Sequence, residues 1–511
     1  MRSIFFTAVL CVGVGSAICA ADKPTKQLPQ QIDQLFANYW QENGIKPAEQ
    51  SSDSEFFRRV HLDVTGRIPS VADTRQFLKN TDPEKRTKLI ESLVEKAISG
   101  NFVATILRDR WIATASNNPQ LQFYSTQFQS YMTEQWRENT PLDEIVFQMI
   151  TASINGTLPG NPVYNAGASA LILANERKPE KTAAAVSRMF LGISIECAEC
   201  HNHPFSSYKR TQFWEFSAFF GDVDPQIANS NDFKLKSTVT IPDSKTVVEA
   251  RFLDGKQPKF NPAQSPRIAL AEWVTSKENP FFARQFVNSL WEEFTGLPLV
   301  PHLDDESDAT EIGLKVLQTI ADEFKAHQYD IKWLVKTILQ TRVYGLSSKQ
   351  SDPTQAEPIH FARMSVRGLK PEQLLDSLAQ ATGLRNVNST GQQFNNLYRE
   401  FLDQFASTDR AVERHQTILQ ALTLMNGSIV TDQTSLEKSE ILAGVVDAPF
   451  WKTKERIETL FLASLNRLPT AKELEKLESY VERGGSSNDQ KKALSDLFWA
   501  LLNSAEFSVN H

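Results

Sequence analysis

Apolar residues recur at three- and four-residue intervals along nearly the whole chain, and that period is incompatible with a fold built mainly on sheets. Ile32, Leu35, Phe36 and Trp40 keep the period near the start, and Val186, Met189, Phe190 and Ile193 keep it in the middle. Leu317, Ile320, Ala321 and Phe324, then Ile331, Leu334, Val335, Ile338 and Leu339, keep it further on. Each set is one apolar stripe of a helix that must bury it against a neighbour, so the expected fold class is mainly α. One stretch departs. Phe233, Leu235, Val239 and Ile241 alternate, Pro242-Asp243-Ser244-Lys245 supplies a turn, and Val248, Ala250 and Phe252 alternate again. This predicts a short β-hairpin in a connection over 222–262, between helical regions at 28–221 and 263–511.

Local punctuation refines the helices. A helix starting after Asp53 is expected to end at Thr65-Gly66, and Asp330 is expected to cap the helix that follows it. The segment Arg67-Ile68-Pro69-Ser70-Val71-Ala72-Asp73 has a counterpart in Arg467-Leu468-Pro469-Thr470-Ala471-Lys472-Glu473, a shared R-x-P-[ST]-x-x-[DE] helix start. Helical patterns follow both, so a helical hairpin repeated near both ends is expected. Those residues are caps and core and carry no chemistry. Residues 118–129, rich in Gln and Asn, read as an exposed connection, and 159–168 read as a loop.

The N-terminus predicts export. Arg2 is followed by a nearly all-apolar run from Ile4 to Ala17, then by small residues at Cys19-Ala20-Ala21. The run falls short of the roughly 20 residues that span a bilayer, so residues 1–21 read as a cleaved signal peptide. A periplasmic or extracellular protein with no membrane span after cleavage is expected. The formal charge is −7 and no basic block occurs, which argues against a nucleic-acid groove.

Cleavage would leave Cys197 and Cys200 as the only thiols, at one locus, Cys197-Ala198-Glu199-Cys200-His201-Asn202-His203-Pro204-Phe205. Chance would place two thiols three apart in a chain of about 490 residues in roughly 2 of 490 cases, before any histidine is required. A C-x-x-C-H run is the attachment pattern of haem c: the thiols add to the haem vinyl groups and the histidine becomes the proximal iron ligand. The aromatic residues Phe213, Trp214, Phe216, Phe219 and Phe220 could wall such a group or could be ordinary core. Met189, Met149, His61 and His302 are candidates for the sixth ligand. Two other uses stay open. Cys197, Cys200, His201 and His203 have the ligand types of a zinc site, although adjacent Cys200 and His201 suit a single tetrahedral ion poorly. The thiols could also form a redox-active disulfide. The function expected from these residues is an exported c-type-haem redox protein with a partner protein. The alternative is a non-enzymatic binding or scaffold protein whose motif is fixed by zinc or a disulfide.

Asp304-Asp305-Glu306, just after His302, could bind a cation, and Glu292-Glu293 read as solvent-facing beside a buried Trp291. No G-x-S-x-G, P-loop or H-E-x-x-H pattern occurs.

Several stretches together resemble the exported, planctomycete-type cytochrome-C-like family, whose two characteristic regions have no assigned function. The first region resembles Phe56 to Gly66 and Phe190-Leu191-Gly192 through the Cys197–Phe205 motif, His203 included. The second resembles Leu270-Ala271-Glu272-Trp273, Asn279 to Arg284, Asn288, Trp291, Asp304-Asp305 and Ile338 to Tyr344. It continues through Glu372-Gln373-Leu374, Ala421 to Asn426 and Trp499 to Phe507. The resemblance implies a cytochrome-like character resting on the C-x-x-C-H run. The chain departs from it at Asn288-Ser289, where an Asn-Arg pair is expected.

Overall fold

The Asp53–Thr65 helix shows how this chain builds its core. Ser52 caps its start by accepting from the Glu55 N–H, and Gly66 ends it in the left-handed region at φ 73°. The computed structural model describes residues 27–112, 118–154, 162–204, 206–227, 230–384 and 427–511, with isolated positions 401, 402, 405 and 425. Residues 1–21, Phe205 and most of 421–426 lie outside the described residues.

Helices dominate, and the strands described form two small antiparallel pairs. Thr238–Thr240 pairs with Val247–Glu249 across the expected turn, in register Val239↔Val248, with Asp243 at φ 59°. The hairpin is shorter than its alternation suggests. Asp232 caps the Lys234 N–H at 2.9 Å and winds Phe233–Lys236 into a helical turn instead. The second pair, Arg367–Gly368 with Val509–Asn510, had no signal at two residues per strand. Residues 118–129 are not a connection. Pro119–Glu138 is a helix, because the Asn118 side chain accepts from the N–H groups of Gln120 and Leu121 and Pro119 fits the first turn. Part of the expected 159–168 loop is helical as well, within Pro162–Ala174.

The apolar core falls into two clusters. One runs from Leu28 to Met364 and includes Val223, Ile241, Ala250 and Leu253 of the 222–262 connection. The other holds 369–507 residues together with Leu62 and Ile68. In the first, Phe36 stacks on Trp40 and Trp291 and meets Phe361 edge-on, with ring centroids 5.6, 6.0 and 5.8 Å apart. Each such pair adds about 0.5–1.5 kcal/mol beyond its buried area.

The two R-x-P-[ST] segments begin equivalent helices, Val71–Lys79 and Ala471–Glu482, capped by Ser70 and Thr470. Each follows a helix that ends in a left-handed residue, Gly66 or Asn466. The copies diverge afterwards. The chain breaks after Lys85–Val94 and restarts at Ala97, whereas Gln490–Leu502 is continuous. The hairpins also touch: Asn466 Nδ2 donates to Pro69 O at 3.1 Å, and Arg75 donates to Thr459 Oγ1 at 2.6 Å.

Buried cations tie the ends of the chain together. Arg58 donates to Ser464 O, Asn466 Oδ1 and Phe507 O at 2.8–3.0 Å. Arg59 donates to the carbonyls of Tyr344, Leu346 and His511 and pairs with Glu55. A guanidinium out of water needs several acceptors, and these two find theirs mainly on backbone.

Candidate functional site

The cysteine motif begins where the helical stripe of Val186, Met189, Phe190 and Ile193 runs out. Pro179–Val186 passes into a wider turn over Ser187–Leu191, which Gly192 ends at φ 70°. A Cβ at Gly192 would lie 2.5 Å from Gln285 Oε1 and 2.9 Å from Leu303 Cδ1 and would sit at a positive φ, so glycine is strongly favoured here. Ile195 and Ala198 then turn into the core, and Glu196–Glu199 forms a single 3₁₀ turn.

Cys197 lies within that turn and Cys200 follows it directly as its C-cap, while Ala198 between them is buried. Both are exposed free thiols. The turn is held from below at one atom: Glu199 O accepts from Trp214 Nε1 at 3.0 Å and from Arg210 Nε at 3.2 Å. At its front, Arg188 pairs with Glu196.

His201 is exposed, and its Nδ1 lies 2.8 Å from Asn202 O. A carbonyl only accepts, so Nδ1 carries a proton, and in the neutral ring Nε2 keeps its lone pair. His203 is half-buried and its backbone N–H donates to Tyr208 O at 2.9 Å.

The acidic loop of the second region reaches the base of this motif. Leu303 is buried against Gly192, and Asp304 Oδ2 accepts from Ser194 N at 3.4 Å. Burial and the nearby Asp304 carboxylate both push the Tyr208 hydroxyl above its ordinary value. Glu306 instead turns to Arg284, 2.5 Å away. His302 stands exposed on the same loop. Two separately read sequence candidates are therefore neighbours.

Other candidates lie elsewhere. Phe213, Trp214, Phe216, Phe219 and Phe220 are core: Phe213 meets Trp214 edge-on, and Phe219 stacks on Phe252 at 5.1 Å. Met149 is fully buried within Leu142–Thr151. His61 packs on Phe57, and burial pushes it down to about 3. Glu293 is not solvent-facing. Burial pushes it up, but Lys370 at 3.1 Å and Arg110 at 3.3 Å outweigh that and hold it down at about 2. Asn288 makes a two-way bond with Val300, donating to its O at 2.7 Å and accepting from its N at 3.1 Å.

The donor set, two exposed thiols three residues apart with an exposed imidazole directly after them, has the residue types of a thioether-linked haem site. Among the described residues, no three His, Cys, Asp or Glu side chains converge as a ready metal site.

Residues 31–225 match a family model described as a protein of unknown function, DUF1549 (PSCyt2). Residues 266–411 match a second, also described as a protein of unknown function, DUF1553 (PSD1). The chain joins two regions of unknown function. No curated protein and no solved structure matches it. The cysteine turn belongs to the first region and the 302–306 loop to the second, so their contact is a contact between the two. Sequence reading missed Trp214, Arg210 and Gly192 as supports of the turn. The positive φ expected of a glycine between two helical patterns was a signal for Gly192 alone.

Proposed function

We propose that this chain is an exported redox protein carrying a c-type haem on Cys197 and Cys200, with His201 as proximal ligand. The observation that supports it most is the exposure of both thiols at one short turn, beside an exposed imidazole whose Nδ1 lies 2.8 Å from Asn202 O. When bound, the haem would supply one-electron transfer at iron. The protein's own residues do the positioning. Ala198 plugs the turn into the core, Trp214 and Arg210 clamp Glu199 O, and Asn202 O fixes the His201 tautomer. Because the thiols are exposed, electrons would pass to a partner protein docking over the turn.

The test is expression alongside c-type haem maturation factors, with intact mass and a pyridine haemochrome spectrum. One haem mass per chain is expected, lost in Cys197→Ala. In His201→Ala the mass increment should persist while the spectrum changes. An unmodified chain under these conditions, or one equivalent of zinc without haem, overturns the proposal and favours a scaffold fixed by zinc or a disulfide.

A further inference from the structure

A cavity of about 1040 Å³, with no residue of the cysteine turn in its lining, lies between helices of both matched regions. Ala97–Trp111, Pro119–Glu138 and Pro371–Thr382 each turn a polar stripe toward it at helical spacing. Polar stripes ordinarily face bulk water, so three of them facing one another across a cleft call for a polar occupant.

The hydrogen bonding specifies its chemistry. On Pro119–Glu138 the hydroxyls of Thr126, Ser130 and Thr133 each donate to the carbonyl four residues back, at 2.9, 3.1 and 2.8 Å. Their protons are used, so the oxygens offer lone pairs to the cleft. Across from them stands Asp376, which has no hydrogen-bond partner among the described residues. Burial pushes its carboxyl up to about 6, a sign of how far it is desolvated. Arg67 also lines the cleft and pulls Asp376 the other way, yet the two form no ion pair, so a cation and a carboxyl border the same cleft unjoined. Arg108 is already committed to Asp109, Glu372 and Gln129.

The occupant must therefore donate to many oxygens and also accept from a guanidinium. Each hydroxyl group does both. Cations and carboxylates nearly balance around the cleft, which disfavours a polyanion, and Phe102 and Ile441 offer apolar surface for C–H faces. The volume is at the upper end of ordinary ligand pockets and suits several linked rings. We propose that this cleft binds a neutral oligosaccharide, with Asp376 and Arg67 bridged by its hydroxyls.

Saturation-transfer NMR of the chain without residues 1–21 would test this with pentasaccharides of β- and α-linked glucose, xylose, mannose and N-acetylglucosamine, and with spermidine as a cationic probe. Transfer from at least one neutral pentasaccharide is expected. Asp376→Asn, which keeps the shape and removes a desolvated charge, should weaken that binding about tenfold, as loss of one charge-assisted hydrogen bond does. Ser130→Trp, on an exposed helix face, should block it while leaving the melting temperature unchanged. Cys197→Ala should leave it intact. No transfer from any neutral pentasaccharide, binding of spermidine alone, or binding indifferent to both cleft variants overturns the proposal.

Discussion

Replacing Arg367 by alanine should cost this protein about 3–5 kcal/mol at neutral pH, the range for removing one partner of a buried ion pair. Arg367 grips Asp63 with both ends of its guanidinium, Nη1 to Oδ1 and Nη2 to Oδ2, each at 2.9 Å. The side chains are 6% and 4% exposed, so neither charge has water to fall back on. Tyr344 and Asn510 complete the carboxylate's shell at 2.8 Å each. In the variant these two neutral donors remain while the guanidinium is gone, and the stranded charge accounts for most of the loss. The effect should depend on pH in a definite direction. Burial pushes the Asp63 carboxyl up, with Arg367 the strongest influence opposing it. Without Arg367 the carboxyl rises further. A carboxyl raised in the folded state holds its proton more tightly there than when unfolded. Its stability contribution is therefore lost as pH climbs from the ordinary carboxylate value to the folded one. The gap between Arg367→Ala and the parent should thus be small near pH 4.5 and full near pH 7.5. Urea denaturation followed by tryptophan fluorescence at both pH values measures it. The double variant Asp63→Asn/Arg367→Met, which leaves no charge stranded, should recover most of the loss. A gap below about 1 kcal/mol at pH 7.5, or one that does not change with pH, refutes the reasoning.

Three further outcomes follow from other residues. Thr470 and Glu473 form a reciprocal capping box, 3.3 and 2.7 Å, so Thr470→Ala should lower stability by about 1 kcal/mol, and Ser70→Ala by a similar amount, read as shifts in urea midpoint. Gly192→Ala forces a left-handed residue and a clash with Gln285 and Leu303 at once, so it should cost about 1–3 kcal/mol. It should also speed hydrogen exchange over 302–306, and unchanged exchange there would deny the contact. Burial, opposed by the Arg342 N–H and guanidinium, pushes Asp33 up to about 6. Stability should therefore fall between pH 4 and 6 by an amount that Asp33→Asn abolishes, seen as a flattened melting temperature against pH.

What could be read from the chain beforehand was what depends on neighbours along it. Helical period, the Ser70 and Thr470 caps, the stop at Gly66 and the Pro242–Lys245 turn are all settled within a few residues, and each lies where it was expected. The cysteine motif was conspicuous for the same reason. The buried charges were not. Phe56-Phe57-Arg58-Arg59-Val60-His61-Leu62-Asp63 reads as a stripe with a polar edge, yet every one of these residues is buried. The acceptors that make this tolerable for Arg58 lie 406 to 449 positions away, at Ser464, Asn466 and Phe507. Nothing local announces them.

The aromatic residues after the motif show the complementary limit. Phe213, Trp214, Phe216 and Phe220 have the spacing of a helix face whether that face covers a cofactor or the core, and periodicity cannot tell these apart. The structure assigns them to the core, and that assignment matters for function. Of these, Trp214 also reaches the cysteine turn, through its indole N–H to Glu199 O. The aromatics thus serve the candidate site by holding its backbone rigid. The exposed side of the turn, with its thiols and imidazole, is left to whatever binds there. The site would then be preorganised by the first region beneath it and by the Leu303–Asp304 contact from the second, so loosening that contact is expected to disturb the site without touching a single ligand.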